Sequence, residues 1–248
     1  MLSPLTFVAM TVAVGFTVEA TVGFGATLLP LALGSLVMPT TSVLFRVVPL
    51  NLALSALLVA RAHRSIDTRA LVARILPAMA LGLPVGLFAL DHLAPAQLQR
   101  VFAAFVFVLA AVELAAMARR TTTPDAPRAL SAPASLALLF VGGVAHGALA
   151  TGGPPVVYVC ARTLPDKATF RATLSALWLL LNVVVVGSYV IHGQVTVVTL
   201  RDSVPLVPGL LVGLALGEVL HGRVPDRAFR VVVFVLLLVV AVVLGVRA

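Results

Sequence analysis

Long apolar stretches alternate with short polar ones along the whole chain. Eight apolar segments stand out, at residues 5–33, 41–60, 73–90, 100–118, 134–161, 170–191, 203–220 and 229–247. Three runs carry no charge at all: Ala129–Ala161, Ala172–Leu200 and Ala20–Phe45, of 33, 29 and 26 residues. A transmembrane helix needs about 20 apolar residues, so each run suffices. Val-rich stretches such as Val231–Val246 are too long, and alternate too little, to be strands. The pattern predicts an all-α polytopic membrane protein.

One long polar stretch interrupts it, Arg119–Pro133, reading RRTTTPDAPRALSAP. Its Pro, Thr, Asp and Arg content reads as a linker. The halves it separates resemble each other. Gly15 and Gly143, like Gly25 and Gly153, are 128 positions apart, and LPVGLFALD ending at Asp91 matches LLVGLALGE ending at Glu218. Each half opens with a long Gly-interrupted segment and continues with three ordinary ones. The expected division is a first transmembrane repeat over 1–118, a cytoplasmic linker over 119–133 and a second transmembrane repeat over 134–248.

Composition narrows the class further. Apolar residues make up 61% and charged residues 10%, with a mean hydropathy of +1.14. A soluble domain carries about 25% charged residues, so this chain lacks the polar surface to cover a soluble core. Disorder, collagen and coiled coil are excluded as well. The net charge of +8 would suggest nucleic acid only if location were ignored. The basic residues, sixteen Arg and Lys167, sit between apolar segments, as loops facing anionic lipid and cytoplasm do. Cys160 is the lone cysteine, and the histidines lack metal-ligand spacing. No metal or cofactor is expected, and no nucleotide loop is present to supply ATP drive. Met1–Pro4 has no basic region, so a cleaved signal peptide is not expected.

Charge also chooses between two topologies. If all eight segments cross once, the basic residues divide nine against eight. If each long segment enters and returns as a hairpin, thirteen share a side and only Arg46, Arg100, Arg201 and Arg247 oppose them. The second division is the excess expected on the cytoplasmic face. The expectation is therefore two four-segment repeats in inverted orientation, each a Gly-broken helical hairpin plus three transmembrane helices, with both termini outside. A single crossing with an unwound centre is the rival.

The helix breakers are Gly23-Phe24-Gly25 and Thr151-Gly152-Gly153-Pro154-Pro155. Irregular backbone within a bilayer is tolerated only where it lines a cavity. Broken helices at matching places in two repeats are the architecture of secondary transporters. Gly-rich tips expose N–H groups, and a helix starting there adds partial positive charge. Gly23, Gly25, Gly152 and Gly153 are thus candidate anion-binding residues, with Thr21, Thr27 and Thr151 as hydroxyl donors. The alternative is that these glycines only let helices pack closely.

The stretch GALATGGPPVVYVCARTLPDKATFRATLSALWLLLN, Gly147–Asn182, resembles the second half-motif of the TauE/SafE sulfite exporter family of membrane permeases. GFTVEATVGFGATLLPLAL, Gly15–Leu33, is similar to the matching motif of the other repeat. The resemblance extends over essentially the whole chain. It implies transport of small anions: sulfite, organosulfonates, and in some members other sulfur compounds or carboxylates. It also implies a multi-pass protein of the bacterial inner membrane.

Glu19 lies four residues before the first tip and His146 five before Thr151, 127 positions apart. Ionisable residues at such depth are functional candidates, and these two could couple protons to anion movement; the alternative is a neutral hydrogen-bonding histidine and a glutamate in an aqueous vestibule. Arg46 and Arg171 could recruit an anion at opposite mouths or anchor their helices at the interface. Asn51 and Asn182 could donate to substrate or join helices, and Tyr158 could supply a hydroxyl. Trp178 reads as ordinary packing. The expected partners are a small anion, protons, the lipid bilayer and, as an option, a second copy of the chain in a homodimer; nucleic acid is not expected. The leading function is a secondary transporter of sulfite, organosulfonates or related sulfur oxyanions. The rivals are a passive anion channel, a carrier of small carboxylates and, more remotely, an intramembrane enzyme, for which no nucleophile–base or metal set is apparent.

Overall fold

The structure, a computed structural model, describes residues 3–119, 130–164, 166–220 and 226–247. Most of the polar linker lies outside them. The described residues are helical, with no strand among them. The first long segment is two helices, α1 (Pro4–Val22) and α2 (Leu28–Gly34). Then come α3 (Thr40–Ala62), α4 (Thr68–His92) and α5 (Pro95–Arg119). The second long segment is α6 (Ala132–Leu149) and α7 (Gly153–Cys160). It is followed by α8 (Lys167–Ile191), α9 (Val197–Leu220) and α10 (Asp226–Arg247). Seven of these are long and apolar enough to cross a membrane: α1, α3, α4, α5, α6, α8 and α9. Their outward faces carry large apolar side chains such as Val72, Leu81, Phe88 and Ile191. On a soluble monomer such surface would be a liability; in a bilayer it faces lipid.

The helices start earlier than hydropathy suggests. α4 begins at Thr68, not 73, because Asp67 caps it by accepting the Ala70 N–H at 2.8 Å. α9 begins at Val197, not 203, capped by the Thr196 hydroxyl. Both added turns contain charged residues, Arg69 and Arg201 with Asp202. A hydropathy reading stops at such residues although the helix runs on toward water.

Each long segment folds back on itself. α1 stops at Gly23, whose φ of 89° is open mainly to glycine; its N–H donates to the Glu19 carbonyl at 2.7 Å. Beyond the tip, Gly25 lies against Val18, Pro30 against Gly15, and Gly34 against Val8. The residue numbers rise along α2 as they fall along α1, so the two run antiparallel. α6 stops at Ala150, with φ 50°, whose N–H donates to the His146 carbonyl at 2.7 Å. Here Gly152 packs on His146 and on the Gly142 carbonyl, and Val156 reaches Gly142.

The halves interleave. α1 packs on α9, α6 on α4, α3 on α8, and α5 on α10. Two of these contacts are backbone-close. A Cβ at Gly82, Gly86, Gly143 or Gly147 would lie 2.0–2.2 Å from a carbonyl oxygen of the facing helix. Gly209 and Gly213 press in the same way on the carbonyls of Ala9 and Ala13, and Gly217 on Ala20. Small residues let membrane helices approach this closely. Each hairpin is thereby fixed to the third long helix of the opposite half. α3 and α8 run antiparallel through the middle: Phe45 meets Tyr189 at one end, and the Asp67 N–H donates to the Thr173 hydroxyl at the other.

Candidate functional site at the two breaks

The tips meet inside the bundle. Phe24 of the first lies over Gly153 of the second: a Cβ at Gly153 would sit 3.2 Å from Phe24 Cβ and 3.3 Å from Cδ2. Beside this contact is a cavity of about 20 Å³ lined by Glu19, Gly25, Thr27, Asn51, His146 and Thr151, together with Phe24, Gly153 and Trp178. That volume holds about one water.

Glu19 is buried, and its Oε2 accepts the Ala26 N–H at 2.8 Å. The carboxylate thus takes one of the donors at the first tip. Its Oε1 has no protein partner. Thr27 Oγ1 accepts from Asn51 Nδ2 at 2.8 Å, and Asn51 Oδ1 accepts from Ser55 at 3.4 Å. The Thr27 hydroxyl proton therefore remains free to donate. His146 Nε2 pairs with Asn182 Oδ1 at 3.2 Å, which puts the proton on Nε2. Its Nδ1, the Thr151 hydroxyl and Asn182 Nδ2 have no protein partner and are buried. Buried polar groups are normally satisfied. Three unpaired atoms on residues lining one small cavity, Glu19 Oε1, His146 Nδ1 and Thr151 Oγ1, therefore mark a place that receives something polar.

Trp178 holds the halves together here. It stacks on His146 with centroids 5.4 Å apart, and its Nε1–H donates to the Gly23 carbonyl at 2.9 Å. Spacing carried a signal for it: Trp178 lies 127 positions after Asn51, the separation that also relates Glu19 to His146, and one helical turn before Asn182. Phe24 and Ser55 were likewise not singled out from the sequence.

Of the residues singled out there, Glu19, Gly25, Thr27, Asn51, His146, Thr151 and Gly153 line the cavity, and Asn182 adjoins it through His146. The others lie apart. The Thr21 hydroxyl donates to the carbonyls of Thr17 (2.7 Å) and Gly217 (3.4 Å). Gly23 faces the backbone at Arg171, and Gly152 faces Gly142. Tyr158 is exposed beneath the Arg162 guanidinium, 3.5 Å from its ring centre. Arg46 donates to the Ser42 carbonyl at 2.9 Å and pairs with Asp202 at 3.4 Å; Arg171 pairs with Glu218. Both arginines are engaged outside the cavity, at opposite ends of the antiparallel α3 and α8.

The second tip is poorer in backbone donors than its glycines suggest. Pro154 and Pro155 open α7 and remove two N–H groups. What the cavity offers an oxyanion is mainly side-chain chemistry: the hydroxyls of Thr27 and Thr151, the Asn51 amide, and Glu19 and His146 when protonated. No group of three or more potential metal ligands occurs among the described residues.

Compared with curated proteins and with solved structures, the chain finds no match. Against protein-family models, the one described as Sulfite exporter TauE/SafE matches residues 7–244, nearly the whole length, and the chain belongs to that family of membrane permeases.

Proposed function

We propose that this protein is a secondary transporter of sulfite, organosulfonates or related sulfur oxyanions, binding its cargo in the cavity between the two tips. The family supports an anion permease. The observation that carries the site is the convergence of Glu19 Oε1, His146 Nδ1 and Thr151 Oγ1, unpaired, on one cavity at two helix breaks.

The cargo arrives beside a carboxyl group. Two negative charges in a space this small repel strongly, so Glu19 holds a proton when the anion is bound. A proton on His146 Nδ1 would turn a second acceptor into a donor. Anion and proton then move together, with Glu19 and His146 as the coupling groups. The hairpins support a reading in which the two halves have inverted orientation, with the 119–133 linker and the Lys167 loop in the cytoplasm. The expected location is the bacterial inner membrane.

The test is thermal stabilisation of the purified protein by sulfite, sulfate, thiosulfate, isethionate, sulfoacetate and acetate. A ligand bound only by the folded state at 100 times its Kd stabilises by about 2.7 kcal/mol. Thr151→Val removes one neutral hydrogen bond worth about 0.5–1.5 kcal/mol, which predicts a roughly 2- to 13-fold weaker site. Arg46→Gln should leave equilibrium affinity unchanged, because Arg46 is paired outside the cavity. Stabilisation by acetate alone would make it a carboxylate carrier. Loss of binding in Arg46→Gln with none in Thr151→Val would move the site to the arginine.

A further inference from the structure

Cavity size and the character of one lining residue together bear on which anions fit. We infer that Phe24 is the size filter of this site, restricting cargo to compact inorganic oxyanions such as sulfite and excluding sulfonates with a carbon chain. This rests on the cavity being the anion site.

About 20 Å³ between the tips is room for roughly one water, whereas sulfite has four heavy atoms and every organosulfonate has more. Something must give way when cargo binds. Trp178 is held by its bond to the Gly23 carbonyl and its stack on His146. Leu28 and Pro154 belong to the first turns of α2 and α7. Phe24 differs from all three. It stands on the tip between Gly23 and Gly25, at φ 89° and 115°, and a phenyl ring has no hydrogen bond to hold it. It is 6% exposed, and it fills the space directly above Gly153. Rotating the ring away frees space beside Thr151 and Gly153. How much it frees sets how large a cargo can be closed in.

The same contact explains the second glycine. A side chain at Gly153 would press on Phe24, on its ring Cδ2 at 3.3 Å and on its Cβ at 3.2 Å, so trimming the ring relieves the first of these contacts and leaves the second. At Gly152 the obstacle is the Gly142 carbonyl at 2.2 Å, and no change at position 24 can relieve that.

The experiment compares wild type, Phe24→Ala, Gly153→Ala and the double variant, all as full-length purified protein, with sulfite and with methane-, ethane- and propanesulfonate. One methylene in a fitted pocket is worth roughly 10- to 200-fold. Wild type should favour sulfite over propanesulfonate by at least about tenfold, and Phe24→Ala should cut that ratio by about tenfold or more through tighter sulfonate binding. Gly153→Ala should weaken sulfite binding in wild type and cost less in the Phe24→Ala background, where only the Cβ contact remains. Sulfite binding with an unchanged ratio in Phe24→Ala overturns the filter. If no anion binds to any form, the anion reading fails instead, and the filter is judged on Thr151→Cys. The rate of its modification by methyl methanethiosulfonate is compared with that by the bulkier benzyl reagent, with wild type giving the background from buried Cys160. Phe24→Ala should accelerate the benzyl reagent at least about tenfold more than the methyl one. Equal effects on both reagents refute the filter whatever the cargo.

Discussion

Gly86 and Gly187 are both mid-helix glycines, and the fold predicts opposite effects of adding one methyl group to each. At Gly86 in α4 a Cβ would lie 2.0 Å from the Val144 carbonyl oxygen and 2.6 Å from the Ala148 nitrogen. Ordinary contact begins near 3.4 Å, so α4 and α6 must part by about 1.4 Å. A gap of 0.5–1 Å already forfeits a quarter to a half of a dispersion contact, and the loss repeats at Gly82, Gly143 and Gly147. Overpacking costs about 1–3 kcal/mol and occasionally more; against rigid backbone the upper end applies, about 3 kcal/mol. For a chain of this length 1 kcal/mol moves Tm by about 2–4 °C, so Gly86→Ala should melt about 6–12 °C lower. Gly187 in α8 has nothing within 4 Å of its would-be Cβ. There alanine gains what glycine loses in a helix interior, roughly 0.5–1 kcal/mol, and Tm should rise by about 1–4 °C. Both variants can be melted in detergent, following aggregation by size-exclusion chromatography. If they melt within about 2 °C of each other, the close α4–α6 contact is not what holds these helices together.

Other outcomes follow from the same structure. Glu19→Gln and His146→Gln should flatten the pH dependence of anion transport in liposomes while the protein still inserts; unchanged profiles in both would reduce them to structural polar groups. Ala150→Gly should stabilise the second hairpin by up to about 1 kcal/mol, since a left-handed non-glycine residue is strained and φ there is 50°; a lower Tm would refute the strain. Asp166 caps α8, and its carboxyl is held below the usual carboxylate value by the Thr169 N–H, then by the Thr169 hydroxyl and the Ala168 N–H. The depressed value means its contribution is present above the ordinary carboxylate value and fades as pH falls through the folded one; Asp166→Asn should shrink that acid-side loss in a pH series of melts. Reporters in the 121–126 linker and near Lys167 should label from the same side, and labelling from opposite sides would restore single crossings.

Hydropathy located every long apolar segment to within about six residues, because the need to bury a helix in hydrocarbon is written locally. Helix starts were less legible: Arg69 and Arg201 are hydrophilic yet helical, capped by Asp67 and Thr196. The spacing of Glu19 and His146 was informative because each precedes a left-handed cap, Gly23 or Ala150, by four residues. The two asparagines are not repeat mates. Asn51 and Asn182 are 131 apart, one helical turn more than 127, and each bonds to the hairpin of its own half, Asn51 through Thr27 and Asn182 through His146. At a spacing of 127, Asn51 aligns with Trp178 and Asn182 with Ser55. The acidic partners of Arg46 and Arg171, 156 and 47 residues away, could not be read from local pattern, and without them both arginines look free to meet an anion. Helix partners in lipid are chosen by surface shape: glycines four apart, Gly82 and Gly86, Gly143 and Gly147, Gly209, Gly213 and Gly217, mark the faces that approach closely but do not say which face meets which.

That interleaving sets an order of assembly during synthesis. α4 finds its partner soon: Gly82 meets Phe140, 58 residues later in the chain. α1 must wait for α9, since Ala9 meets Gly209, 200 residues later. At about 5–20 residues per second, the ribosome leaves α1 without its partner for roughly 10–40 s. Through that interval the small-residue face of α1, with Ala9, Ala13 and the acidic Glu19 behind it, must be sheltered by the insertion machinery or by lipid. A nascent chain stopped before residue 197 would hold an α4–α6 pair beside a first hairpin that lacks α9. Of the two hairpins the one made first is locked last, and α5 is paired later still, with α10.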